Sequence, residues 1–529
     1  VTGWLEAHFS GLPNGARIEI EYSDETDGDG NLIDQRQRDT YIARGDGRER
    51  FCNKFNHHAF RYAEVRGLAQ RPRREDFRAL AIHTDYRPEA TFTSSDSDLN
   101  AIHDMIAHTL RCLAYNGYMV DCPHLERAGY GGDGNSSTEI LQTLCGAAPL
   151  YRNWVQAWDD AMRPGGSLPH VAPNAGAGGG GPYWCGFIVM APWQTWLNYG
   201  DRTLVDRHYP AMREWMGYVE RYMKDGLLTR WPDTPYRDWF LGDWHGVDTG
   251  NEASVSLVNN CFVSDCYARM AQMARLTGHD DEAAAFEARR EALNRTIHAR
   301  FYDPATQTYA TGSQLDMTYP MLVGATPDSL RAGVEQRLFR STHDVMKDHI
   351  GGGLVGVPVI TRWAVRSHNP EFIYRMLKQR GYPGYLHMID HGATATWEYW
   401  SGERSRVHNC YNGIGTWFYQ ALGGLRTDSS HPGYEHVFID PQIPEGVEWC
   451  RIGKETPYGR IDLGWEIADG ELRIDVTLPP GVTATAITPA GACRGRLDGR
   501  RLAPQSPGTK IASGRHRLVF GLAPQNEGR

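Results

Sequence analysis

At 529 residues with a formal net charge of −9 and a pI near 6.2, the chain is too long for one compact core and lacks the basic footprint expected of a nucleic-acid binder. Hydrophobic residues make up 41% and charged residues 22%, and no apolar run approaches the roughly 18–20 residues that cross a bilayer, which speaks against a membrane protein. The ten cysteines, from Cys52 to Cys493, form no C-x-x-C pair, so zinc-ribbon and thioredoxin chemistry have no support and the thiols read as small buried side chains.

In chain order, residues 1–92 read as strands. Ala16–Tyr22 and Arg61–Val65 alternate apolar and polar residues, with turns at Asp27–Gly30 and Gly45–Gly47. An antiparallel sandwich is expected. It opens almost in mid-strand at Val1, with no basic-then-apolar leader, which reads as an incomplete N-terminus and leaves cytoplasm and periplasm both open. The pattern changes at the capping cluster Ser94–Asp98. After it Leu99, Ile102, Ile106, Leu110 and Leu113 recur at helical spacing. Helical periodicity then runs to about residue 425, through Trp154/Val155/Trp158/Met162, Met212/Trp215/Met216/Val219/Met223 and the Ala-rich stretch 281–299. Long Gly/Pro/aromatic loops at 173–182 and 231–248 interrupt it. Paired helices with long loops at one end predict an (α/α)6 toroid over 93–425, and no solenoid repeat appears. Past Gly423–Gly424 the period returns to two, at Ile461–Leu463, Glu471–Val476 and His516–Phe520, with turns at 479–481 and 489–491. This predicts a second sandwich, 426–529.

Two segments carry the chemistry. The first, Asp121–Asn135, holds Asp121, Glu126, Arg127, Tyr130 and Asp133 among four glycines. Glycines suit positive φ and close approach to a ligand. Crowded acids raise the pKa of whichever is least solvated, which is how a carboxylic acid stays protonated for proton donation. The plainer reading is a surface loop in which Arg127 bridges Asp121 and Asp133. A capping box at Ser136 and Glu139 is expected to start the next helix. In the second segment, His391–Arg404, Glu398 stands between Trp397 and Trp400, and an apolar wall raises a carboxyl pKa. His408 follows on the same stretch. Two carboxyls on opposite sides of a glycosidic bond are what glycoside hydrolysis needs, and chemistry alone does not choose between retention and inversion. No P-loop, G-x-G-x-x-G, H-E-x-x-H or G-x-S-x-G motif is present, so neither a cofactor nor a metal is expected. The 16 Trp and 26 Tyr suit sugar stacking, although a large helical core uses aromatics equally.

On four motifs in order, the chain resembles glycoside hydrolase family 78, the α-L-rhamnosidases, over nearly its whole length. They are Asp121-Cys-Pro with Glu126-Arg127, Gly129 and Gly132-Asp133; Trp184 with Pro192-Trp193; Gly242-Asp243-Trp244; and Thr394-Ala-Thr-Trp397-Glu398. The resemblance implies an inverting, exo-acting α-L-rhamnosidase with Glu126 as general acid and Glu398 as general base. It implies that Asp121, Arg127, Tyr130, Asp133, Trp184, Asp243, Trp244, Trp397 and His408 hold the sugar, in a monomer or homodimer. Three positions depart from the family pattern: Tyr130 stands where Trp is usual, Gly186 replaces an Asp and Val407 an Asn. The alternatives are another toroid glycosidase, a polysaccharide lyase, or a catalytically silent carbohydrate-binding protein.

Overall fold

The structure is a computed structural model and describes residues 1–173, 180–230, 240–489, 492–502 and 508–522. Parts of the expected loops 173–182 and 231–248, and of the turn 489–491, lie outside the described residues.

The N-terminal region is a pair of small antiparallel sheets. Thr2–Ser10 lies between Arg48–Cys52 and Phe77–Ala81 in one, and Arg17–Ser23 between Gln37–Ile42 and Tyr62–Arg66 in the other. Alternation along the strands buries Leu5, Ile20 and Tyr22 with Phe60 between the sheets.

The centre is a double ring of helices. Gly131–Leu144, Phe187–Tyr199, Glu252–Leu276, Gln314–Val323, Gly356–Arg366 and the turn over 415–422 each pack on the next and close a ring. Ser97–Leu113, Ala148–Asp160, Thr203–Arg221, Asp280–Phe301, Asp328–Arg340 and Pro370–Leu377 form the outer layer. The sequence sets this division. Outer helices such as Thr203–Arg221 bury one stripe, whereas Glu252–Leu276 buries Val258, Cys261, Phe262, Val263 and Cys266 around its whole circumference. Asp96 starts the first outer helix by accepting from the backbone N–H groups of Asp98 and Leu99. No helix among the described residues is long and apolar enough to cross a membrane.

The C-terminal region pairs a seven-stranded antiparallel sheet with a four-stranded one, in which His436–Ile439 runs parallel to Thr483–Ile487. Ala90–Ser94, just before the barrel, is the outer strand of the larger sheet and pairs with Trp449–Thr456. That sheet is locked to the barrel by a buried ion pair. Lys454 Nζ donates to Glu89 at 2.9 Å and to the carbonyls of Gln142 and Thr143, the open C-terminal end of the helix Gly131–Leu144.

Candidate active site

Both acid-bearing segments emerge at one end of the barrel and are tied to each other. Asn409 N–H donates to the Asp121 carbonyl at 2.9 Å, and Arg406 N–H donates to Asp24 of the N-terminal sandwich at 2.9 Å. Asp24 also lies 3.3 Å from His124 of the first segment, and Arg406 pairs with Glu25 and covers the Trp397 ring. The N-terminal sandwich thus buttresses both loops.

The glycines of the first segment act through closeness. None of Gly129, Gly131, Gly132 and Gly134 has positive φ; the left-handed residue of this stretch is Arg127, at φ 57°. A Cβ on Gly131 would lie 2.0 Å from the Trp184 carbonyl, and one on Gly132 would lie 2.4 Å from the Trp184 ring. The helix therefore begins at Gly131, deep against Trp158 and Trp184, and carries Asp133 in its first turn. The expected capping box is absent. Ser136 lies inside the helix and donates to the Asp133 carbonyl, while Glu139 accepts from Gln420.

Asp121, Glu126, Tyr130, Asp133, Trp184, Trp244, Glu398 and His408 line one pocket, together with Leu241, Leu354 and Arg404. The floor is buried polar chemistry. Asp121 accepts from Ala128 N–H at 2.8 Å and from the Cys122 thiol at 3.0 Å; burial, with Glu126 nearby, pushes it up to about 7. Asp133 gains from the helix N-terminus, yet burial and Asp121 outweigh that and push it well above the carboxylate range. Its Oδ1 is buried with no hydrogen-bond partner among the described residues, 3.7 Å from His408 Nδ1. Burial holds His408 well below its usual range, so the imidazole is neutral.

Glu398 is 3% exposed and Glu126 is 35% exposed by side chain, so one carboxyl is deep and the other sits at the mouth. Burial pushes Glu398 up to about 7 against the pull of Arg404. Arg404 spans the two, donating to Glu126 at 2.8 Å and lying 3.2 Å from Glu398. One planar guanidinium touching both keeps the facing oxygens no more than about 8 Å apart, a limit that admits both the roughly 6.5–9.5 Å of inverting pairs and the roughly 5–5.5 Å of retaining ones. The pocket holds ≈ 40 Å³ of free space, enough for a few waters and less than a pyranose ring occupies.

Three residues expected at the sugar stand outside the pocket wall. Arg127 donates to Asn56 of the N-terminal sandwich and bridges no acids among the described residues. Asp243 accepts from the N–H groups of Trp244, Gly353, Val355 and Gly356, which engages both oxygens in holding the loop under Leu354. Trp397 backs Glu398 from the side of Arg406 and Gly402. Arg404 is the residue that sequence reasoning missed. Its signal was an arginine close after Glu398 on the same loop, next to Gly402, which holds φ 82°. Asp121, Cys122 and His408 present possible metal-ligand atoms within 4.8 Å of one another. The donor set suits a cation poorly, because burial keeps the Cys122 thiol protonated and its hydrogen is given to Asp121.

The family model described as the bacterial alpha-L-rhamnosidase 6 hairpin glycosidase domain matches residues 87–422. Models for the C-terminal domain and the concanavalin-like domain of the same enzymes match 424–500 and 1–83. A closed ring of helical hairpins with paired carboxyls at one end is thus a glycoside hydrolase framework. The chain belongs to the bacterial alpha-L-rhamnosidase family. An alpha-L-rhamnosidase of Formosa agariphila is 23% identical over 490 residues, covering 89% of this chain and 52% of that protein. The chain spans about half the length of the curated relatives it matches. In fold it is similar to the Streptomyces avermitilis alpha-L-rhamnosidase crystallised with L-rhamnose (TM-score 0.88, 23% identity, 98% of this chain, 51% of that one). It is equally similar to the alpha-L-rhamnosidase from Dictyoglumus thermophilum (TM-score 0.90, 21% identity, 98% and 60%).

Proposed function

We propose that the chain is an exo-acting, inverting α-L-rhamnosidase in which Glu126 is the general acid and Glu398 the general base. The observation that carries this reading is the placement of the two carboxyls: remote in sequence, facing each other across one pocket, one at its mouth and one at its base. A leaving aglycone departs toward solvent, so the proton it needs comes from the carboxyl at the mouth, Glu126. The deep carboxyl is left to activate water on the far face of the sugar. A Glu398 pushed up to about 7 is a stronger base than an ordinary carboxylate. Asp121, Asp133 and His408 offer buried acceptors to the sugar hydroxyls, the unpartnered Asp133 Oδ1 foremost. Trp184, Leu241, Trp244 and Leu354 supply apolar wall for the C6 methyl.

Glu126→Gln and Glu398→Gln are each expected to cut turnover of an aryl α-L-rhamnoside by orders of magnitude while leaving the melting temperature unchanged. Near-parental activity in either variant removes that residue from the mechanism. Proton NMR of the first anomer released tests inversion. A product with ultraviolet absorbance from a new double bond would replace hydrolysis by elimination.

A further inference from the structure

A second, larger cavity, ≈ 270 Å³, lies within the same ring of helices, on the other side of the first turns of the helix Gly131–Leu144. Asp133 lines the candidate active site, whereas Asn135, Ser136 and Glu139 line this cavity. Its walls carry four arginines: Arg269, Arg362, Arg366 and Arg426.

The arginines outnumber the acids that reach them. Asp265 serves two, with Arg362 at 3.0 Å and Arg269 at 3.1 Å. Arg426 pairs with Asp440. Glu139, the acid in the wall, accepts from the Gln420 amide and forms no ion pair among the described residues. Arg366 has neither a hydrogen bond nor an ion pair among the described residues. The Nε groups of Arg269 and Arg426 are buried with no partner. Arg269 lies 5.2 Å over the Trp193 ring and Arg426 5.8 Å over Phe438, so aromatic faces fix the planes of both guanidinium groups. Arg366 reaches solvent, yet desolvation and the charges of Arg362 and Arg269 push it down to about 10 against the pull of Asp265 and Glu139, which still leaves it charged at neutral pH. Arg269 and Arg362 are mostly covered, with side chains 13% and 20% exposed, and share one carboxylate, so Arg366 adds to an excess of positive charge at the cavity that an anion from outside would offset.

We propose that this cavity is an anion-binding site, with Arg366, Arg362 and Arg269 holding a sulfate, a phosphate or the carboxylate of a sugar acid. Planar guanidinium forks match all three oxyanions. The volume admits a ligand as large as a uronic acid. The site uses no residue of the candidate active site, so this inference and the proposed function stand or fall separately.

The test titrates the protein with sodium sulfate, sodium phosphate and sodium D-galacturonate, each against sodium chloride at equal ionic strength. Melting temperature and tryptophan fluorescence are read for the parent and for Arg366→Gln. The expected result is a saturable rise in melting temperature with at least one of the three anions, accompanied by a fluorescence change. Half-saturation should weaken at least tenfold in Arg366→Gln. Saturation with galacturonate alone makes the ligand a sugar acid, and saturation with sulfate or phosphate makes it an inorganic oxyanion. In low-salt buffer Arg366→Gln should melt no lower than the parent, because it removes a solvent-reaching charge that repels Arg362 and Arg269 and has no ion pair among the described residues. A non-saturating rise equal in both proteins, which is the general effect of excluded salts, overturns the proposal. So does an Arg366→Gln protein that melts lower in low salt, because the arginine would then have a structural partner.

Discussion

Replacing Arg404 by glutamine removes a positive charge 3.2 Å from Glu398 while keeping a donor of similar reach. The side chain is 41% exposed, so water screens it, and an effective dielectric constant between about 40 and 80 is appropriate. At that separation the lost attraction is about 1–2.5 kcal/mol, or about one to two pH units in the ionisation of Glu398. Glu398 starts at about 7 and, as the proposed general base, would act in its charged form, so losing the cation raises its pKa further and delays ionisation to higher pH. The acidic limb of the kcat/KM profile, which reports the free enzyme, should therefore move alkaline by about one to two pH units. The assay is hydrolysis of an aryl α-L-rhamnoside between pH 4 and 9 at constant ionic strength. A limb that stays in place, or moves acid, refutes the electrostatic coupling of Arg404 to Glu398.

Other expectations concern stability. Asp121 is pushed up to about 7 in the folded protein against about 3.9 unfolded, so the native state keeps a proton that the unfolded chain loses. Its contribution therefore falls as pH rises from about 4 to 7, by up to about 4 kcal/mol, and Asp121→Asn should be inactive yet more stable than the parent at pH 8 by denaturant melts. Lys454→Ala leaves Glu89 and two helix-end carbonyls buried without their donor and should cost about 3–5 kcal/mol. Thermal unfolding checks this, and Lys454→Met with Glu89→Gln should recover part of the loss. Gly132→Ala places a methyl 2.4 Å from the Trp184 ring, an overpacking worth about 1–3 kcal/mol. Since Trp184 is a pocket wall, KM should rise as well as the melting temperature fall.

The architecture was legible in the sequence, and so were two unusually placed carboxyls that the fold brings to one pocket. Period-two alternation at both ends and helical period between them predict sandwich, toroid, sandwich, because each period reports which faces are buried. Glu126 and Glu398 were legible because a carboxyl among glycines, and one between two tryptophans, are costly arrangements on an ordinary surface. Tertiary structure alone decided how those residues are used. The glycines around Asp133 read as an irregular loop with positive φ, yet Gly131, Gly132 and Gly134 are the first turn of a helix pressed on Trp158 and Trp184. That contact comes from a helix remote in sequence. Asp243 reads as a sugar ligand until its oxygens are seen engaged by backbone N–H groups from 353–356. Arg404 is marked locally only by following Glu398 on the same loop, and its meaning lies in reaching Glu126 across the barrel mouth. Periodicity reports burial along one segment. Charge pairing and steric closeness are set by which segments the fold brings together, and no local spacing encodes them.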